Sequence, residues 1–476
     1  MLFNSVEYLI FFPIVFIFYW FSFNKNLRQQ NIFLLISSYI FYGWWSWKFL
    51  ALLILSTLLD YLYAFGVNFE NKNKAKLFLW LSIINNLGIL FIFKYFNFFS
   101  NELVEIFKIF GIKLSPYFLN FALPIGISFY TFHGMSYVFD IYNKVRKPVK
   151  NFSDYAVFVS FFPLLVAGPI ERANHLLPQV QTKREFKYIQ ATQGLRLILW
   201  GLFKKIVIAD SISLTVDEIF NNYHSFNSIS LVIAAIGFSF QIYCDFSGYS
   251  DIAIGSAKLL GFELLSNFKF PYFSRNIAEF WRRWHISLSS WFKDYLYIPL
   301  GGSKNGLPIA IRNTFIIFIV SGFWHGAKWN FIFWGFIHAC AFLPLLIFKM
   351  NRKYVDSIVA ENKKFPNIKE IISVLSTFMI VTVAWIYFRS ENLKDANNIV
   401  IKIAKNFTSD IYHHSPIKGF SIFLYIIPFL LLDWKFRHDE RIILKNSRFR
   451  YLYYMIFCVL IFLYFGKEQN FIYFQF

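Results

Sequence analysis

The sequence is poor in charged residues and in cysteine. Only 16% of its 476 residues are charged, whereas 57% are hydrophobic, and the mean hydropathy is +0.47. An ordinary soluble domain is excluded, because no polar segment is long enough to enclose a core of its own. The three cysteines have no metal-ligand spacing and give no disulfide framework. The composition therefore predicts an all-α integral membrane protein, and we expect no bound metal.

Acidic residues are scarce as well, since 27 Asp and Glu accompany 47 Lys and Arg, a formal net charge of +20. No soluble basic groove with base-stacking aromatics accompanies this charge, so nucleic acid is not an expected partner. The basic residues cluster in loops between apolar runs, which is typical of cytoplasmic loops. Residues 1–20 lack a basic n-region and a cleavage site, and are interpreted as a retained first span. We expect a multi-pass protein of the bacterial cytoplasmic (inner) membrane with both termini external.

Apolar runs that could cross ~30 Å of hydrocarbon number about eleven. The run 158–173 is short and is broken by Pro163, Gly168 and Pro169, which predicts a re-entrant hairpin. No repeat of fixed period and no low-complexity tract interrupts the chain. We therefore expect one membrane domain over 1–476, forming a polytopic helical bundle, with an external aromatic C-terminal tail at 467–476.

One stretch, 276–329, concentrates polar side chains among aromatic ones. A helix over 279–295 would carry two stripes, an aromatic one and a polar one. The aromatic stripe contains Trp281, Trp284, Leu288, Trp291 and Tyr295, and the polar stripe contains Arg282, His285, Ser289 and Lys293. Such a helix could lie in the membrane interface, or it could line a water-filled cavity inside a bundle. The interface interpretation leaves unexplained a second histidine, His325, at the end of the next apolar run.

Six motifs follow one another along almost the whole chain. They are L-P-I-G-I-S-F-Y-T-F (123–132), F-F-P-L-L-V-A-G-P-I-E-R (161–172), Y-C-D-F-S-G-Y-S-D-I-A-I-G (243–255), F-W-R-R-W-H-I-S-L-S-S-W (280–291), G-F-W-H-G-A (322–327) and F-I-Y-F-Q-F (471–476). In this order and spacing they resemble the membrane-bound O-acyltransferase superfamily, and most of all its bacterial branch of alginate and peptidoglycan O-acetyltransferases. The resemblance implies a funnel-shaped helical bundle that transfers an acyl group.

The same resemblance implies a catalytic role for two histidines. The histidine of W-H-G is the family's key catalytic group and corresponds to His325, and a second family position corresponds to His285. A buried imidazole suits a general base, because desolvation disfavours its charged form. The alternative for His325 is a core histidine with satisfied hydrogen bonds. His285 could orient the donor, donate to the thioester oxygen, or only bridge helices.

The C-terminal tail is similar to that of the small partner protein in teichoic-acid D-alanylation, where a tyrosine is proposed to carry the acyl group. The matching phenol is Tyr473. A phenol is mostly protonated near neutral pH, so it would need an adjacent base such as His325. The alternative is an aromatic anchor at the membrane interface, a role that Phe471 and its neighbours would also fill.

Further polar residues are candidates for substrate binding. Arg282, Arg283 and Lys293 could hold the phosphates of coenzyme A, or could be ordinary cytoplasmic-side anchors. Asp245 and Asp251 are expected to pair with nearby arginines, although orienting a histidine is an alternative role. Trp324 adjoins His325 in the same predicted site. Other histidines are expected to pack (His133, His338) or to carry no signal (His413, His414, His438).

The expected reaction moves acetyl from cytoplasmic acetyl-CoA across the membrane for O-acetylation of an envelope polysaccharide, with no permanently bound cofactor. The expected partners are membrane lipid and a separate periplasmic acetyltransferase, since no soluble hydrolase-like domain is found in the sequence. Peptidoglycan is preferred to an alginate-like exopolysaccharide, because heavy use of Phe, Ile, Lys and Asn suggests an AT-rich genome. Two alternatives stay open: a flippase of lipid-linked sugars, although no internal symmetry is found, and a lipid or protein O-acyltransferase of the same family.

Overall fold

The computed structural model describes residues 1–166, 168–355, 357–412, 416–441, 449–466, 469 and 471–472. Within these ranges the chain forms twenty α-helices, joined by short π and 3-10 turns, and no strand. The all-α prediction is confirmed. The chain divides into two compact units, Met1–Leu195 with Ala253–Leu265 and Arg196–Ile252 with Ser266–Phe476.

The first unit contains helices that begin at residues able to cap them. The side chains of Ser5, Asn26 and Asn71 accept backbone N–H bonds from the first turns of α1, α2 and α4. The helices of this part of the chain are α1 Val6–Ile17, α2 Leu27–Gly43, α3 Trp47–Val67, α4 Lys72–Leu90, α5 Phe96–Ile109, α6 Ile127–Tyr142, α7 Phe152–Ser160, α8 Phe162–Leu165 and α9 Ala173–Gln181.

A buried polar cluster joins α3, α4 and α6. Asp60 of α3 is 2% exposed. Its carboxylate accepts hydrogen bonds from Ser82 Oγ at 2.8 Å and from Asn86 Nδ2 at 2.8 and 3.0 Å. A Cβ added to Gly134 of α6 would lie 2.1 Å from Asp60 Oδ2, so this position has room only for glycine. The three helices can approach this closely because the buried carboxylate is hydrogen-bonded.

Gly134→Ala is therefore expected to lower stability by about 1–3 kcal/mol, since the added methyl displaces a buried hydrogen-bonded group. Gly88→Ala on α4 is the matched control, because nothing lies within 4 Å of its added Cβ. Thermal unfolding of the detergent-solubilised proteins would measure both. Equal midpoints for the two variants would contradict the close packing at Gly134.

The segment 158–173 is broken, as its prolines and glycine predict. Helix α7 ends at Ser160, the four-residue α8 follows, and α9 begins only at Ala173. Phe161 has a non-helical ψ of 111° at the first break. The described residues from Val157 to Ile170 are buried, which suits irregular backbone at membrane depth. That the segment 158–173 forms a re-entrant hairpin stays a prediction.

The remaining helices include those that build the site. They are α10 Tyr188–Leu202, α11 Asp210–Asn221, α12 Ser228–Leu259, α13 Ile277–Arg283, α14 Ile286–Phe292, α15 Leu307–His325, α16 Trp329–Ile347, α17 Ile368–Arg389, α18 Leu393–Tyr412, α19 Phe423–Phe436 and α20 Arg450–Tyr464. Two π stretches, Phe203–Ala209 and Lys293–Tyr297, follow α10 and α14. Helix α12 continues through Asp245 and Asp251 as one 32-residue helix.

Six helices of the described chain are long and apolar enough to cross a membrane. They are Trp47–Val67, Lys72–Ile109, Ser228–Leu259, Leu307–His325, Trp329–Ile347 and Ile368–Arg389. Shorter apolar helices occur at Val6–Ser22, Phe152–Leu165 and Arg450–Tyr464. A multi-pass membrane protein is thereby supported, and the number of about eleven spans stays a prediction.

Candidate functional site

The helix expected over 279–295 is instead two short helices, so that prediction was wrong. His285 separates α13 from α14 and adopts a left-handed conformation, with φ 42° and ψ 54°. The chain on both sides of the break is held by another segment: Ile286 N–H donates to Asn267 O at 2.9 Å, and Lys269 N–H donates to Arg283 O at 3.0 Å. Because a left-handed residue interrupts the helical phase, the aromatic and polar stripes are not continuous.

The break presents the His285 side chain to a buried amide. His285 Nδ1 lies 3.3 Å from Asn267 Oδ1, and Ser287 Oγ–H donates to the same oxygen at 2.6 Å. Asn267 Nδ2–H in turn donates to Ser250 Oγ at 3.1 Å. With the amide in this orientation, Nδ1 carries the imidazole proton and Nε2 carries the lone pair. His285 lies outside the six candidate spans, and burial lowers its pKa to about 3, so the ring is neutral at physiological pH.

His325 is the last residue of α15, which forms a tight hairpin with α16. A Cβ at Gly322 would lie 2.2 Å from Phe331 O, and one at Gly335 would lie 2.2 Å from Phe318 O. The two backbones therefore touch at both glycines. Gly322 is one turn before His325, so this close contact fixes the position of the histidine relative to α16.

The structure brings the two predicted histidines to the same aromatic cluster. His325 is 3% exposed, and its ring centroid lies 5.1 Å from that of Trp334 and 5.2 Å from that of Phe388. The Trp324 ring lies 4.9 Å from His325 and 6.1 Å from His285. Trp324 therefore connects the two imidazoles, in edge-on contact with both.

A cavity of about 270 Å³ is lined in part by Trp281, whose ring centroid lies 5.7 Å from that of Trp334, and neither His285 nor His325 is among its lining residues. Its walls come from the segments 281–303, 314–321, 342–346 and 351–352. Ser321 lines it from α15 and precedes His325 by four residues, so both side chains project from one face of the helix. Arg352 lines it from the basic loop after α16. The cavity thus connects a cationic loop with the helical turn before His325.

The candidate donor-binding residues differ in their surroundings. Arg282 donates to the carbonyl oxygens of Asn351 at 2.9 Å and Tyr354 at 3.2 Å. Arg283 pairs with Glu279 at 2.9 Å, and Lys293 is exposed. Arg283 also donates to Ser357 O at 3.2 Å, so both guanidinium groups contact the segment after α16 that supplies Arg352 to the cavity. Their predicted contact with donor phosphates stays a prediction.

The two aspartates pair with lysines, so the expected arginine pairing was wrong. Asp251 Oδ2 lies 2.7 Å from Lys204 Nζ, and Asp245 Oδ1 lies 2.7 Å from Lys205 Nζ. Lys204 Nζ also donates to Ser247 Oγ at 2.8 Å. Both lysines are almost fully buried. Sequence reasoning missed them, although two adjacent lysines inside the apolar run 202–209 are themselves a signal of buried ion pairs.

Tyr473 lies outside the described residues, but the segment before it is described in part. Phe471 is fully buried, with its ring centroid 4.4 Å from that of Tyr249 and 6.0 Å from that of Phe246. The Phe246 ring also contacts His285, at 4.7 Å. For Phe471 the alternative of an interfacial anchor is therefore wrong, because the ring lies in the interior near the histidine cluster.

Of the other histidines, His338 contacts the same cluster, with its ring centroid 4.9 Å from that of Trp334. His338 is buried on α16, and its Nδ1 accepts a hydrogen bond from Trp281 Nε1–H at 3.3 Å. His133 lies in the first unit, where its Nε2 accepts from Glu171 N–H at 3.0 Å. These contacts suit the packing roles expected for both, which stay predictions. His413 and His414 lie outside the described residues, and His438 is exposed.

The sequence is similar to those of known membrane acyltransferases. The model of the membrane-bound O-acyltransferase family matches residues 131–390, a range that contains His285 and His325. The chain is 38% identical to a probable alginate O-acetylase AlgI of Pseudomonas syringae pv. tomato, over 84% of this chain and 74% of that protein. It is 35% identical to a peptidoglycan O-acetyltransferase of Helicobacter pylori, over 84% and 79%. A teichoic acid D-alanyltransferase of Bacillus subtilis is 29% identical, over 48% and 61%.

Proposed function

This chain belongs to the membrane-bound O-acyltransferase family and is a multi-pass membrane acyltransferase, and we propose that it moves acetyl from cytoplasmic acetyl-CoA through a single membrane domain to an envelope polysaccharide. The observation that carries the proposal is the placement of His325. It ends α15 one turn beyond a cavity that begins at a basic loop. A thioester entering from that loop would have its acyl end near the imidazole.

In the proposed reaction, His325 is the general base. The His325 imidazole accepts the proton of an attacking hydroxyl group, and the oxygen of that hydroxyl group adds to the carbonyl carbon of the thioester. The carbon–sulfur bond then breaks, and the coenzyme A thiolate leaves with the proton that His325 returns. The hydrogen bond between His285 Nδ1 and Asn267 favours an orienting, acceptor role for His285 over donation from Nε2 to the oxyanion.

The cavity supports a donor that is polar at one end and small and apolar at the other. Arg352 and Asn351 line its loop end, whereas Ile317, Phe318 and Phe342 line its walls between α15 and α16. Arginine suits phosphate groups because its planar donors form charge-assisted hydrogen bonds. In this proposal, Arg282 and Arg283 act on the donor mainly by holding the 351–357 loop.

For the acceptor we propose peptidoglycan, with an alginate-like exopolysaccharide as the alternative. The relatives are named for acetylation of both polymers, so the preference rests on the composition of this chain. Delivery would occur at the outer face of the cytoplasmic membrane, with both termini external and a separate periplasmic acetyltransferase completing the reaction. Acetate released by mild alkali from purified peptidoglycan, in cells with and without the gene, would decide between the two polymers.

Filling the cavity is the direct test of the donor route. Ser321→Trp places an indole in a 270 Å³ space one turn before His325, and we expect about 100-fold slower turnover of labelled acetyl-CoA by the purified protein in liposomes. Val320→Trp is the matched control, because Val320 is 39% exposed on the same helix and the same side chain there leaves the cavity open.

Two results would count against the proposal. Equal turnover of acetyl-CoA by Ser321→Trp and Val320→Trp would show that the donor does not bind in the cavity. A wild-type protein that ignores acetyl-CoA and consumes a long-chain acyl-CoA would replace the acetyl donor with a fatty one, which is the chemistry of a lipid or protein O-acyltransferase of the same family.

A further inference from the structure

Two buried charged side chains contact the backbone of the C-terminal segment. Lys205 Nζ donates to the carbonyl oxygen of Gln469 at 3.1 Å. Asp245 Oδ2 accepts from the backbone N–H of Ile472 at 2.8 Å. Lys205 is 1% exposed and Asp245 is 2% exposed. Both contacts use backbone groups of the segment, so they depend little on the identity of its side chains.

The same two residues belong to a buried ion cluster. Lys205 Nζ lies 2.7 Å from Asp210 Oδ1 and 2.7 Å from Asp245 Oδ1. Two carboxylates therefore share one ammonium, and the N–H of Ile472 adds a further donor to Asp245. A buried carboxylate is stabilised by each donor that it gains. The ion cluster and the docked segment thus stabilise each other.

The helix geometry at Lys205 favours its contacts with Asp245 and the C-terminal segment. Lys205 lies in the π stretch Phe203–Ala209, and Asp245 lies inside the long helix α12. A π stretch changes the direction of the side chains that follow it, and such stretches are frequent at functional sites. Phe471 of the C-terminal segment packs on the ring of Phe246, which also contacts His285.

We propose that Lys205 and Asp245 are positioning residues that bind the backbone of Gln469 and Ile472 and so hold this part of the C-terminal segment beside the histidine cluster. This proposal rests on the proposed function, together with the sequence-based expectation that Tyr473, the residue after Ile472, carries acetyl. The segment is held at two points three residues apart, one by a cation and one by an anion. Its direction along the binding site is thereby fixed, because reversing it would place a carbonyl against Asp245 and an N–H against Lys205.

A proline substitution tests the backbone contact without changing the ion cluster. Ile472→Pro removes the N–H that Asp245 accepts, and Gln469→Pro is the matched control because it keeps the carbonyl that Lys205 contacts. Trypsin needs an unfolded stretch of chain around the bond that it cleaves, so the rate at which a peptide beginning at residue 468 appears in a mass spectrometer is the measure of undocking. We expect release about 10- to 100-fold faster in Ile472→Pro than in the wild type, and little change in Gln469→Pro.

Delivery of acetyl to an acceptor is the second measurement on the same proteins. Ile472→Pro is expected to lower the kcat of delivery and to leave the KM for acetyl-CoA unchanged, since the donor cavity is intact. Asp245→Asn keeps an acceptor oxygen for the Ile472 N–H and is expected to retain more delivery than Asp245→Leu. A purely structural role would move all kinetic constants together with the unfolding midpoint.

The outcomes separate this proposal from the proposed function. Equal peptide release from Ile472→Pro, Gln469→Pro and the wild type would overturn the docking site. Faster release with full delivery would also overturn the positioning role. If Tyr473→Phe delivers acetyl like the wild type while Ile472→Pro releases its tail, the carrier step of the proposed function fails and the docking site stands.

Discussion

Replacement of His325 by alanine is expected to slow acetyl-CoA turnover by about 10²- to 10⁴-fold, the usual contribution of a general base. The imidazole is buried between Trp334 and Phe388, and alanine offers no proton acceptor in its place. Hydroxide cannot substitute easily, because the cluster around the histidine is aromatic. Release of free thiol from acetyl-CoA by purified protein would measure the effect.

The histidine also fills space, so activity must be separated from folding. His325→Gln keeps much of the volume and is expected to be nearly as inactive, since an amide is not a base. His338→Gln is the matched control: it removes an imidazole that is also buried, and its amide oxygen can accept from Trp281 Nε1–H as His338 does. His325→Ala turning over acetyl-CoA at the wild-type rate would refute the assignment of the base.

Replacement of Tyr473 by phenylalanine is expected to reduce acetyl delivery by about 100-fold or more while acetyl-CoA still binds, because only the hydroxyl that would carry the acetyl ester is lost. In the carrier step the phenol gives its proton to His325, its oxygen bonds to the acetyl carbon, and coenzyme A leaves. Label from acetyl-CoA should be found on the C-terminal peptide of the wild type and not of Tyr473→Phe.

Tyr464→Phe is the matched control for this experiment. It removes a phenol near the end of α20, where the hydroxyl group lies 3.2 Å from that of Tyr425. We expect this variant to keep both label and delivery. Unlabelled wild-type protein that nevertheless acetylates its acceptor would favour direct transfer from the thioester to the polysaccharide hydroxyl.

Much of the fold class was predictable from the sequence because it depends on local patterns. Apolar runs of span length require helices, since backbone groups in lipid can be satisfied only within such elements. The breaks around Pro163 and Gly168 were predictable for the same reason. The family was predictable from motifs whose order survives in one dimension, and the comparisons confirm it.

The site was predictable only in part. Two histidines could be selected, and the structure places both beside Trp324. The left-handed conformation of His285 could not be predicted from the sequence, because the helical periodicity of apolar and polar residues continues across this position. Its cause is the backbone of the 267–269 segment, which bonds to both sides of the break.

By itself, the sequence determined that this chain is a helical membrane protein of an acyltransferase family, with His325 at the end of an apolar run. Only the tertiary structure decided which charges meet: Asp245 with Lys205, and Ile472 with Asp245 across 227 residues of sequence. The physical reason is that hydrophobicity is a property of each residue and can be read in order, whereas a buried charge is stable beside any suitable opposite charge. Its partner is therefore chosen by the packing of the helices, which a linear pattern does not contain.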